Sequence, residues 1–173
     1  MTGIAGSLSG INSSSLSFRE AVFYFLNPLR PRLTRIRFAA APVERILFRH
    51  PDVVMAAVYA VPDAHGGDQV MAALELSEGA RFDPDAFVDF LAAQPDLGTK
   101  WAPRFVRVTG QMPLTGTNKV LKGPLQHEGW DTADDVWWRP ARGETTYRPL
   151  VDDDRKLLAE ELETHGRSYH RTP

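Results

Sequence analysis

Apolar and polar positions follow two spacings along the chain, and the change from one to the other marks its elements. Residues 42–49 place Val43, Ile46 and Leu47 on one side behind a first-turn proline, which predicts a short helix ended by Pro51. Residues 53–61 are dense in valine and alanine and read as a strand. Pro62-Asp63 and Gly66-Gly67 supply the turn, and residues 70–76 read as the antiparallel return strand. Asp83 can cap a helix over 84–93 that carries Phe87, Phe90 and Leu91 on one face. Residues 95–103 form a loop. Arg104-Phe105-Val106-Arg107-Val108 alternates polar with apolar, as a strand with one exposed face does. A loop over 110–118 leads to a short helix over 120–126. Residues 129–150 read as irregular, anchored by Trp130, Trp137 and Trp138. Residues 151–165 read as a helix, with Asp152, Asp153 and Asp154 at its N-terminus, Gly166 at its end, and Leu150, Leu157, Leu158 and Leu162 as its buried stripe.

This order predicts an α+β fold: a small mixed or antiparallel sheet with packed helices, preceded by an irregular leader and followed by an extra C-terminal helix. Three segments are expected: a leader over 1–37, a domain over 38–128, and an extension over 129–173 with its helix near 151–165. The first forty-one residues stand apart, with five arginines, six serines, Glu20 as sole acid and no lysine. Pro28 and Pro31 interrupt any helix there. The composition fits a loosely attached tail, an organelle transit peptide, or unselected sequence from a displaced start.

Composition narrows the function classes. Hydrophobic residues make up 43% and charged ones 24%, as in an ordinary globular domain. A net charge of -2 argues against a general nucleic-acid binder, which carries a basic stripe. The absence of cysteine excludes disulfides, thiolate metal sites and cysteine nucleophiles. No apolar run approaches the length that spans a bilayer, the one over residues 21–26 included. The five histidines, at 50, 65, 127, 165 and 170, lack metal-ligand spacing; His50 reads as a helix-end residue and His65 as part of a turn.

One segment carries candidate chemistry: Met112-Pro113-Leu114-Thr115-Gly116-Thr117-Asn118-Lys119-Val120-Leu121-Lys122. A compact ammonium on a long stem, presented by such a loop, suits a phosphate or carboxylate oxygen. Asn118 tolerates a positive φ and can stand where glycine otherwise would. The loop is not a Walker A motif, because Gly110 and Gly116 are wrongly spaced and Val120 follows Lys119. There is no Gly-x-Ser-x-Gly elbow. Taken alone, a Thr/Gly/Asn/Lys loop reads as a solvated turn. Lys122 reads as a surface charge, with a contact to a nucleotide or a partner domain as the alternative.

Several segments together resemble the C-terminal domain of the adenylate-forming (AMP-binding) superfamily, between about Pro42 and Leu125. Val43-Glu44-Arg45-Ile46-Leu47 with His50-Pro51-Asp52-Val53 is similar to its opening helix and the strand that follows. Ala57-Val58-Tyr59-Ala60-Val61-Pro62-Asp63 is similar to its first strand and turn, and Pro103-Arg104-Phe105 to the lead-in of a late strand. The 112–122 segment is similar to its terminal lysine loop. The Thr-Gly-Thr-Asn-Lys form and the tryptophan-rich tail most resemble bacterial long- or very-long-chain fatty-acyl-CoA synthetases.

The resemblance implies a ligase chemistry using ATP, Mg2+ and CoA. A fatty-acid carboxylate attacks the α-phosphate, pyrophosphate leaves, and CoA thiol then takes the acyl group after the small domain rotates. It further implies that Lys119 bridges carboxylate and α-phosphate oxygens, with Thr115, Gly116, Thr117 and Asn118 shaping its loop. The resemblance starts abruptly near Phe38; Arg35-Ile36-Arg37 does not fit it, and no phosphate loop, adenine pocket or acyl tunnel is visible. The expectation is therefore a truncated, cytoplasmic lid fragment, inactive alone, without tight cofactor binding of its own. Its partner would be an adenylating N-terminal domain or a related synthetase. Two alternatives stand beside this: a lid acting in trans on a separate large domain, and a non-enzymatic interaction module that docks through the C-terminal helix.

Overall fold

The computed structural model describes residues 39–98, 101–141 and 143–167, so the expectations for the leader lie outside the described residues. Helix α1 (Ala40–Leu47) precedes a five-stranded sheet ordered β1 (Val53–Pro62), β2 (Asp68–Leu76), β3 (Phe105–Val108), β4 (Asp135–Trp138) and β5 (Arg148–Pro149). β1 and β2 form an antiparallel hairpin. Helix α2 (Pro84–Ala92) then carries the chain back along the sheet, so β3 pairs with β2 in parallel. β4 and β5 add antiparallel. The sheet is mixed, as the α+β reading allowed.

Both faces are covered, which is why β1 and β2 read as near-continuous apolar runs. On one face, Val43 and Leu47 of α1 and Phe87 and Leu91 of α2 pack on Ala56, Val58, Ala72, Leu74 and Val106. On the other, Leu125 of α3 (Lys122–Glu128) and Leu162 of α4 (Asp152–Thr164) pack on Tyr59, Met71, Phe105, Val136 and Trp138. The cap predicted for α2 is present: the Asp83 carboxylate accepts from the N–H groups of Asp85 and Ala86, both at 3.0 Å. In α4, Asp154 accepts from the Val151 N–H at 3.3 Å and holds Arg148 through both of its oxygens.

Three expectations need correction. Residues 129–150 are not uniformly irregular, because they supply β4 and β5. Four residues ending in two adjacent tryptophans are too short to show alternation, and the two-residue β5 holds a proline, which only an edge strand accepts. Second, β3 is central and does not expose a polar face: Arg107 is only 7% exposed. Burial alone would lower the pKa of its guanidinium, but a hydrogen bond to the Asp134 carboxylate at 2.6 Å and an ion pair with the Glu128 carboxylate at 2.7 Å hold it above the ordinary arginine value. Third, Leu157 points outward, 59% exposed, while Leu158 and Leu162 face the core.

No described helix is long and apolar enough to cross a membrane.

Candidate functional site

The lysine segment folds as a miniature hairpin projecting from the body. Leu114 and Val120 bridge as antiparallel partners, and the Leu121 N–H donates to the Pro113 carbonyl at 2.8 Å. At the tip, the Thr115 N–H donates to the Lys119 carbonyl at 2.8 Å and the Asn118 N–H to the Thr115 carbonyl at 2.9 Å. That pairing is a four-residue turn, Thr115 to Asn118, whose last residue is left-handed, a standard three-residue hairpin loop. Asn118 is the left-handed residue, with φ of 58°; among the described residues no other non-glycine has a positive φ. Asparagine is thus doing glycine's conformational work, as its chemistry allows.

The two threonines brace the tip. Thr115 Oγ1 accepts from the Lys119 N–H at 3.1 Å and lies 3.0 Å from the Thr117 hydroxyl. Gly116 differs: its φ is not in the left-handed region, and a Cβ added there would meet nothing within 4 Å. Among the described residues nothing requires a glycine at that point. Lys119 is exposed, and its side chain makes no hydrogen bond or ion pair among the described residues. The structure therefore gathers Thr115, Gly116, Thr117, Asn118 and Lys119 on one exposed tip.

Residues unread in the sequence fasten this tip to the body. On the incoming stem, the N–H of buried Met112 donates to the Glu75 carboxylate of β2 at 2.6 Å. On the outgoing stem, Lys122 is not a free surface charge. Its ammonium donates to the Val58 carbonyl at 3.1 Å and pairs with Glu44 Oε1 at 2.5 Å, and Glu44 in turn accepts from the Val58 N–H at 2.8 Å. Glu44 and Lys122 are remote in sequence, so spacing gave no sign of the pair. Among the described residues, no cluster of histidine, aspartate and glutamate has the arrangement of a metal site.

Residues 42–119 match the family described as AMP-binding enzyme C-terminal domain. Steroid-22-oyl-CoA synthetase of Rhodococcus jostii is 51% identical over 129 residues, 75% of this chain and 23% of its own. Medium/long-chain-fatty-acid–CoA ligase FadD17 of Mycobacterium marinum is 46% identical over 130 residues, 73% of this chain and 26% of its own. A feruloyl-CoA synthase of Amycolatopsis is 34% identical over 50% of this chain and 17% of its own. The chain thus spans about a quarter of the length of the first two relatives, and its similarity to them runs beyond the 42–119 segment.

Proposed function

Because residues 42–119 belong to the C-terminal domain family of AMP-binding enzymes, we propose that this chain serves as the lid of an acyl-CoA synthetase and that Lys119 is the charge it delivers to the reacting phosphate. The observation that carries this reading is an exposed ammonium without a partner among the described residues, held at the tip of a braced hairpin. Gly116 supports it: an open, side-chain-free position beside the cation leaves room for a second body to approach closely.

In this reading the substrate is a carboxylic acid of the fatty or steroid side-chain class, the classes named for the relatives. ATP, Mg2+ and CoA complete the reaction. As the carboxylate oxygen attacks the α-phosphorus, negative charge builds on the non-bridging oxygens and on the departing pyrophosphate. The Lys119 ammonium sits between carboxylate and phosphate, lowers their mutual repulsion and stabilises the charge as it develops. It stays protonated throughout. Thr115, Thr117 and Asn118 restrict where it can be, which saves orientational entropy at the moment of reaction. In this reading Mg2+ would rest on the nucleotide and on the larger, adenylating domain. Residues 38–128 form the family part of the lid, with 129–167 completing its sheet. In this reading the protein is cytoplasmic.

The test is complementation. The Rhodococcus relative, deprived of its own C-terminal domain, is mixed with the full 173-residue chain, and carboxylate-dependent pyrophosphate release is followed. The chain alone is expected to give none; the mixture is expected to turn over, and Lys119→Ala to lower that rate by roughly 100-fold or more. Equal rates for Lys119→Ala and the unmodified chain would overturn the assignment of Lys119.

A further inference from the structure

Two lysines three residues apart have opposite surroundings: Lys119 is exposed, and Lys122 is clamped between a carboxylate and a backbone carbonyl. Among the described residues β1 is an edge strand, paired only with β2. At Val58 its outward N–H and C=O would otherwise face solvent. The Glu44 carboxylate takes the N–H and the Lys122 ammonium takes the C=O, while the two charges bond each other, which closes a ring of three contacts. The ring ties together α1, the sheet edge and the first residue of α3.

Lys122 directly follows Leu121, whose N–H closes the base of the hairpin on the Pro113 carbonyl. The opposite stem is held at Met112 by Glu75. The tip that carries Lys119 is therefore fastened at two points, and the second point is an ion pair whose side chains are about one-third and one-fifth exposed. We infer that Lys122 is a positioning residue: through Glu44 and the Val58 carbonyl it fixes the outgoing stem of the hairpin and so sets where Lys119 is presented. The inference rests on the lid reading for its consequence in catalysis, but its structural part stands without it.

The experiment has two readouts in the full chain. Amide hydrogen exchange at Thr115, Asn118, Lys119 and Leu121 reports hairpin order without any reaction. In Lys122→Met and in Glu44→Gln these amides are expected to exchange about tenfold faster, while amides of the β2–β3 pairing keep their protection; Lys122→Arg restores the slow exchange. In the complementation assay, Lys122→Met is expected to lower the maximal rate about tenfold with unchanged half-saturation for ATP, and Lys122→Arg to recover most of it. A folded Lys122→Met chain with unchanged hairpin exchange overturns the inference. So does a Lys122→Met chain whose exchange accelerates equally in the sheet core, because the pair would then be general scaffolding. Failure of the lid reading looks different: the unmodified chain and Lys119→Ala would be indistinguishable in turnover, whatever the exchange at the hairpin shows.

Discussion

At the scale of single residues, Asn118 is the clearest case of sequence chemistry dictating geometry. Its φ of 58° is required by the hairpin loop, and the two bonds across the tip hold only if that residue is left-handed. Asn118→Gly removes the Cβ and is expected to leave the hairpin intact. Asn118→Val places a β-branched side chain in the left-handed region and costs about 1–2 kcal/mol locally. The change is confined to an exposed tip, so it will show as faster amide exchange at Lys119 and Thr115, not as a large shift in melting temperature. Equal exchange in the valine and glycine variants would contradict the role given to this residue. Tyr147 offers a buried counterpart. Its hydroxyl donates to the Pro103 carbonyl, and burial, opposed in part by the Arg139 charge, pushes its pKa up to about 12.

At the scale of elements, α4 separates what a repeat of leucines can and cannot say. A stripe of Leu157, Leu158 and Leu162 marks the segment as a helix, but at about 100° per residue Leu157 lies about 140° around the axis from Leu162, whereas Leu158 lies only about 40° from it, so Leu157 falls off the contact face. The structure keeps Leu162 at 3% exposure and leaves Leu157 at 59%. Leu162→Ala is therefore expected to destabilise the chain by about 2–5 kcal/mol in urea unfolding, and Leu157→Ala by less than about 0.5 kcal/mol. Comparable losses at both positions would mean that α4 sits differently. Because the buried face of α4 lies on the sheet, the docking-module alternative would have to rely on its outer face.

The same contrast explains what was legible in the sequence. The helices around residues 42–49 and 84–93, the β1–β2 hairpin and the lysine loop were readable because turn residues, caps and periodicity are local signals. β4 and β5 were not, since a four-residue and a two-residue strand are defined by neighbours far along the chain. Arg107 misled for a related reason. A charged residue in an alternating strand looks exposed until Glu128 and Asp134 are seen to neutralise it. In the hairpin, the positive φ of Asn118 was readable from its residue type, whereas the bonds of Glu44, Glu75 and Lys122 are tertiary contacts that no local spacing announces.

At the scale of the whole molecule, one carboxylate gathers much of the chain. Asp63, at the end of β1, accepts from the Gln69 amide, from the His65 N–H at 2.7 Å and from the Arg104 guanidinium at 2.9 Å. Arg104 reaches on to the Pro140 carbonyl at 3.0 Å, just past β4, and Arg167 beyond α4 donates to the carbonyls of Asp63 and Gly67. Burial by itself would raise the carboxyl pKa of Asp63. The hydrogen bonds from Gln69 and His65 and the charge of Arg104 outweigh it and hold the pKa below the ordinary aspartate value. A depressed folded pKa means that the stabilisation is fully present above the unfolded value of about 3.9 and fades as pH falls through the folded value. Asp96 is also held low, by its hydrogen bond and ion pair with Arg49, but both partners are largely exposed and water screens them. Urea unfolding free energy is thus expected to be insensitive to Asp63 titration between pH 5 and 7 and to drop below roughly pH 4. Asp63→Asn cannot ionise and leaves Arg104 without its carboxylate, so it should cost about 2 kcal/mol at neutral pH. Its deficit relative to the unmodified chain should shrink as both are acidified, because the unmodified chain then loses the same charge. A deficit that stays constant down to pH 2 would show that the carboxylate contributes shape and not charge to this junction.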